Sequence, residues 1–288
     1  GLGWDRVHPK ALLRAHGKWI HALLKLLMRY DAEGQWPAAI ELVIICLLPK
    51  PDGGFRPIGL LPVLPRIWMR ARRNATRAWE RRNDRSYLYA GEGKGAQVAA
   101  WQQAARGEAA ARDEAAYAQG LLDLVKAFDS VPYGILLREA AWLGYPLRIL
   151  RISLLTYIMP RTLRVGLVFT KTLVARRGIT AGSGTATTEM RLLMIHVVDA
   201  AMKQYVYVIP TLYVDDLSAE ATASRVAVRD MMTGFLLLVC RMIEALGMEV
   251  SRTKSVCTAC DGELGREIAA ALTDFGITYV QKAKSMGV

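Results

Sequence analysis

The stretch 211-TLYVDDLSAE-220 places two adjacent acids, Asp215 and Asp216, directly after a run of apolar and β-branched residues. Val206, Tyr207, Val208, Ile209, Leu212, Tyr213 and Val214 read as a buried strand, broken once by Pro210. Two carboxylates side by side in a core repel each other and lose hydration, at a cost on the order of several kcal/mol unless a cation compensates. The strand therefore has to end in a turn. Either that turn faces water, or something positive is held beside the pair.

A third acid extends the choice. In 121-LLDLVKAFDS-130, Asp123 ends another apolar strand and is followed by Phe128 and Asp129. If the two strands are neighbours, two or three carboxylates converge at one sheet edge. Such a cluster suits two divalent cations about 3.5–4 Å apart, which activate an attacking oxygen and stabilise a leaving one in phosphoryl transfer. Hard oxygen donors with no His or Cys nearby point to Mg²⁺ or Mn²⁺ rather than zinc.

Two further stretches carry chemistry. In 47-LLPKPDGGFRPIGLL-61, the Gly53-Gly54 turn folds the chain back and brings Lys50 and Arg56 onto one hairpin. A Lys and an Arg so placed clamp a triphosphate, or else are ordinary solvated cations of a surface turn. The segment 177-RGITAGSGTA-186 reads as a Gly/Ser loop opening a helix, with amides that could contact a nucleotide.

Charge sharpens the choice of partner. The formal net charge is +12, and residues 1–90 hold sixteen Lys and Arg against seven Asp and Glu. That imbalance favours a polyanion, nucleic acid first and an acidic membrane surface second. No apolar run reaches the roughly 18 residues needed to span a bilayer. From Arg66 to Arg85 the sequence reads as one amphipathic helix with eight arginines. Arg66, Arg70, Arg73, Arg77 and Arg81 are the candidates for phosphate contact.

The rest of the chain frames these stretches. Residues 9–30 and 97–117 have helical character, 41–50 is an apolar strand, and 185–203 and 229–246 are apolar helices, the second closed by Gly247. Irregular alternation of helices and strands implies an α+β fold with helices on one side of a sheet. Trp68, Trp79 and Trp101 read as core. His8, His16, His21 and His196 read as packing or surface residues, and Asp129 and Asp199 as local caps or ion pairs. Cys257 and Cys260 have zinc-like spacing but no second pair, so Cys46, Cys240, Cys257 and Cys260 are expected as reduced thiols of an intracellular protein. The start at Gly1 without a Met and the abrupt end at Val288 suggest a segment of something longer.

The order of these stretches resembles the reverse transcriptases of non-LTR retrotransposons and group II introns. LPKPDGGFRPIGLL is similar to their fingers motif, LLDLVKAFDSVP to motif A, RGITAGSGTA to motif B, LYVDD to motif C and GMEVSRTKS (247–255) to motif D. The final KSMGV (284–288) resembles the start of the primer grip, and GLGWDRVHPKALL (1–13) the segment preceding the fingers. In two places the chain departs from the pattern. Ala181 stands where motif B has Gln, and Ser183, Gly184, Thr185 and Ala186 replace its small-Pro pattern.

The resemblance implies a right-hand polymerase reduced to fingers (1–95) and palm (96–288), with a fingers excursion near 133–175 and no thumb. The palm is expected to be a ferredoxin-like antiparallel sheet backed by helices. Asp123, Asp215 and Asp216 would be catalytic and, with the Leu124 carbonyl, would ligate two Mg²⁺ ions, Mn²⁺ being the substitute. Lys50, Arg56, Phe128, Gly182 and Lys254 would serve the dNTP, Phe128 by colliding with a ribose 2′-hydroxyl and Lys254 by protonating pyrophosphate. Implied partners are an RNA template, a DNA primer, dNTPs and other domains of a longer polyprotein, a thumb and an optional endonuclease, in nucleus or cytoplasm, with no membrane. A catalytically inactive nucleic-acid-binding remnant and an RNA-dependent RNA polymerase remain the alternative readings.

Overall fold

The structure, a computed structural model, describes residues 1–51 and 53–283. Helix α1 (Gly17–Glu33) leads to strands β1 (Val43–Pro49) and β2 (Phe55–Leu60), then α2 (Val63–Ala71), α3 (Arg73–Arg82) and α4 (Ala96–Arg112). Strand β3 (Ala116–Leu122) precedes α5 (Ala127–Ser130), α6 (Tyr133–Trp142), α7 (Leu147–Tyr157), β4 (Arg161–Val165) and β5 (Val168–Phe169). The chain closes with α8 (Ala186–Gln204), β6 (Ile209–Tyr213), β7 (Asp216–Ala223), α9 (Arg225–Ala245), β8 (Val256–Ala259), α10 (Gly262–Ala271) and β9 (Thr278–Tyr279). Contacts divide it into two units, 1–83 with 128–189 and 84–127 with 190–288.

In the first unit β1 is β-branched and apolar, and its register with β2 runs from Ile44 opposite Leu60 to Pro49 opposite Phe55. Gly53 and Gly54 close the hairpin at φ +89° and +77°, values that residues with a Cβ rarely adopt. β4 joins β1 in parallel, giving the order β2-β1-β4-β5 among the described residues. The core beside this sheet is aromatic. Trp36 stacks edge-on against Trp68, and Trp79 against Tyr145.

The second unit has the strand order β6-β7-β3-β8-β9 among the described residues. β6, β7, β3 and β8 each run antiparallel to their neighbours, in the order of a βαββαβ unit, while β9 joins β8 in parallel. The sheets are therefore mixed rather than purely antiparallel. Gly120 of β3 lies against Leu236 of α9, whereas Ser218 and Glu220 of β7 bond to Gln103 and Arg106 of α4. Gln119 pairs with Glu220, so α4 and α9 cover opposite faces. Helices on one side only was the wrong expectation, because the α4 face carries polar residues whose hydrogen bonds a helix has to complete.

Other corrections are local. Residues 9–14 form a 3₁₀ turn and α1 starts only at Gly17, with the His16 Nδ1 accepting from the Lys18 N–H at 3.3 Å. The arginine helix is two helices that meet at Arg72, which pairs with Asp31 at 2.8 Å and lies over the Trp68 ring. Helix α4 stops at Arg112, and Ala116 already belongs to β3. The strand before the acid pair begins at Ile209, with Val206 and Tyr207 exposed. Trp68 and Trp79 are buried, but Trp101 is 77% exposed on the outer face of α4. Among the described residues no helix is long and apolar enough to cross a membrane.

Candidate functional site

The acid pair sits in the second unit, on the two-residue connection between β6 and β7. Tyr213 pairs with Asp216, leaving Val214 and Asp215 as the turn. Val214 holds φ +63°, left-handed backbone that a β-branched residue strongly disfavours, so the surrounding ladder imposes it. Lys126, three residues after Asp123, has φ +46°. Both acid-bearing segments therefore reverse through a strained residue that is not glycine.

The β3–β7 ladder ends with Leu122 opposite Leu217. Asp123 and Asp216 are the residues immediately beyond that last pair, one on each strand. Like charges directly opposite on an antiparallel pair destabilise it. The Asp216 carboxyl is pushed up to about 6, by burial first and then by the charges of Asp215 and Asp123, against Lys254. Lys254 lies 3.5 Å from Asp123 Oδ2, an exposed pairing worth little on its own. Three acids from two segments about ninety residues apart thus act on one another at one end of the sheet.

The donors are all carboxylate oxygens, which fits Mg²⁺ or Mn²⁺ in chemistry. Among the described residues no group of three or more His, Cys, Asp or Glu side chains is placed to hold a metal ion. Leu124 bridges Val250, but the bridging bonds run from Val125 N–H to Glu249 O and from Ser251 N–H to Asp123 O. The Leu124 carbonyl is not used by them.

The first unit holds the other expected residues. Arg56 pairs with Leu48, which places it on the face of the hairpin that Lys50 continues two residues on. Gly182, at φ +109°, would bring a Cβ to 2.5 Å from the Gly59 carbonyl, and the Gly59 N–H donates to Ala181 O at 2.6 Å. The RGITAGSGTA turn is therefore seated on β2 through two facing glycines. Phe128 is half-buried, and its carbonyl accepts from the Ile179 N–H at 2.7 Å. Arg70, Arg73 and Arg81 are exposed, Arg77 is half-buried, and Arg66 donates to the Gly1 carbonyl at 3.1 Å. Residues 284–288, read as the start of a primer grip, lie outside the described residues.

The sequence reading missed a polar cage beneath that turn. Glu189 is fully buried and accepts from the Tyr157 hydroxyl, which also contacts Ser183 Oγ at 3.0 Å and Thr185 Oγ1 at 3.3 Å. Ser153 Oγ lies 3.1 Å from Thr185 Oγ1. The hydroxyls that replace the small-Pro pattern are thus in use. Burial pushes the Glu189 carboxyl up to about 7 despite these bonds. Asp199, expected as a local ion-pair residue, pairs with Arg85 at 3.1 Å and accepts from Tyr87.

Solved structures share this fold. The chain matches apo telomerase from Candida tropicalis truncated from its C-terminal domain, at TM-score 0.56 and 13% identity, over 84% of this chain and 55% of that one. Full apo telomerase from the same organism matches at TM-score 0.55 and 13% identity, over 87% and 50%. Telomerase from Candida tropicalis in complex with the TWJ fragment of telomeric RNA matches at TM-score 0.54 and 13% identity, over 84% and 45%. No protein-family model and no curated protein matches the sequence. The chain spans about half the length of these telomerases, and what it shares with them is a reverse-transcriptase-like polymerase fold.

Proposed function

We propose that this chain is the fingers and palm of an RNA-directed DNA polymerase of a retroelement, of the non-LTR or group II intron type. The first unit would supply the fingers and the second the palm. The observation that supports the reading is that the β3–β7 ladder ends at Leu122–Leu217, one residue short of both Asp123 and Asp216, with Asp215 on the adjoining turn and Lys254 beside Asp123. Mutually repelling carboxylates at the end of a strand ladder cost stability and make chemical sense as ligands.

Divalent ions bound there would activate the primer hydroxyl and stabilise charge on the leaving pyrophosphate. Asp123, Asp215 and Asp216, with the Leu124 carbonyl, would hold them. Lys50 and Arg56 would bind and orient the triphosphate, Lys as a point charge and Arg as a fork. Lys254 would hold a proton near the leaving group. Phe128 would exclude a 2′-hydroxyl, which favours dNTPs over rNTPs. The exposed arginines of α2 and α3 would contact template phosphates.

Primer extension on an RNA template tests the reading, with Mg²⁺ or Mn²⁺, dNTPs or rNTPs, and an Asp215→Asn control. DNA product that disappears in the control is expected, together with new rNTP incorporation by Phe128→Ala. Bound RNA with no product, in both wild type and control, would replace this reading with that of an inactive nucleic-acid-binding remnant.

A further inference from the structure

Asp123 is the first residue beyond the ladders of β3. Its pairing with β7 ends at Leu122–Leu217, and with β8 at Leu121–Val256. A residue there is expected to fray, more so with Asp216 repelling it. Instead its peptide is gripped on both sides by one short segment. The Ser251 N–H donates to the Asp123 carbonyl at 2.7 Å. The Asp123 N–H donates to Ser255 Oγ at 3.1 Å, and that hydroxyl lies 3.4 Å from the Asp123 carbonyl it can donate to.

Ser255 is completely buried. Its own N–H donates to the Ser251 carbonyl at 2.9 Å, so residues 251–255 form a closed turn with both ends on Asp123. Val125 N–H to Glu249 O, at 2.8 Å, extends the grip one residue further. The same turn carries Lys254, whose ammonium faces the Asp123 carboxylate. The peptide and the carboxylate of one acid thus both meet one loop.

We propose that Ser255 is a positioning residue for Asp123: its hydroxyl replaces the missing ladder bonds and holds the carboxylate where a divalent cation is bound. The role rests on the metal-site reading given above. A serine is suited to it because one hydroxyl accepts from N–H and donates to C=O at once. Alanine leaves the Asp123 N–H without its partner and frees the residue to swing away from Asp216. Partners one step behind a metal ligand change metal affinity by about 10–100-fold when removed.

The test is Mn²⁺ binding to the whole chain, followed by the electron paramagnetic resonance signal of free Mn²⁺, which needs no turnover. Wild type, Ser255→Ala and Asp123→Asn are compared, with circular dichroism confirming the fold. Wild type is expected to bind in an Asp123-dependent way, and Ser255→Ala to bind about tenfold or more weakly. If the alanine variant does not fold, Ser255→Cys, close in size and a weaker acceptor, is read in the same way. A folded Ser255 variant with wild-type Mn²⁺ affinity and only a lowered unfolding midpoint would overturn the proposal and leave the metal site standing. Absence of any Asp123-dependent Mn²⁺ site in wild type would remove the metal-site reading, and the positioning role with it.

Discussion

Replacing Glu189 by Gln should make the chain more stable at alkaline pH and no more stable at acid pH. The carboxyl is fully buried and pushed up to about 7 by that burial, from an ordinary 4.5. Below pH 4.5 it is protonated in both folded and unfolded chains and costs nothing. Between 4.5 and 7 the folded state holds more protons, so stability falls as pH rises. Above 7 the whole cost is present. A shift of that size corresponds to about 3 kcal/mol. Gln does not titrate, but it disturbs the bond from Tyr157 at every pH, a loss of about 1 kcal/mol. The variant should therefore be slightly less stable than wild type near pH 5 and about 2 kcal/mol more stable near pH 8.5. Urea unfolding of both proteins at pH 5, 7 and 8.5 reads the difference directly. A difference that is flat with pH, or one that favours Glu189 at pH 8.5, would refute the reasoning, because it would mean the cage holds a carboxylate as readily as water does.

Two further outcomes are expected. Trp79→Ala should cost about 3–5 kcal/mol in urea unfolding, since the ring is fully buried, donates to the Leu143 carbonyl at 2.9 Å and meets Tyr145 edge-on; a loss below about 1 kcal/mol would show the site collapsing around the gap. Val214→Asn should raise stability by about 1 kcal/mol by relieving the left-handed backbone at φ +63°. A lower unfolding midpoint in that variant would mean that the Val214 side chain packs for more than its strain costs.

Much of this protein can be read from local chemistry. The Gly53-Gly54 reversal, the apolar β1, helix α8 and the two acids at a strand end follow from residues a few positions apart, because turn geometry, β-branching and 3.6-residue periodicity act over that range. The carboxylates, the paired cations of the hairpin and the glycine turn could all be named in this way. Glu189 could not. An acid in the first turn of a helix looks like a solvated partner of the helix dipole, and only the packing of α7 over it reveals a buried group. Trp101 misled in the opposite direction, since a Trp in an Ala-rich helix reads as core until the sheet shows which face of α4 it meets.

The strand register belongs to the tertiary structure alone. Asp123 and Asp216 lie about ninety residues apart, and nothing in either segment says which residue of one faces which residue of the other. A slip of one residue would turn the side chains of β3 to the opposite faces. What prevents it is the joint closure of Gly120 on Leu236, Glu220 on Arg106 and Ser255 on the Asp123 peptide. The sequence determined which side chains could do chemistry. Their convergence was decided by long-range packing, which buries one face of each strand and so permits a single alignment.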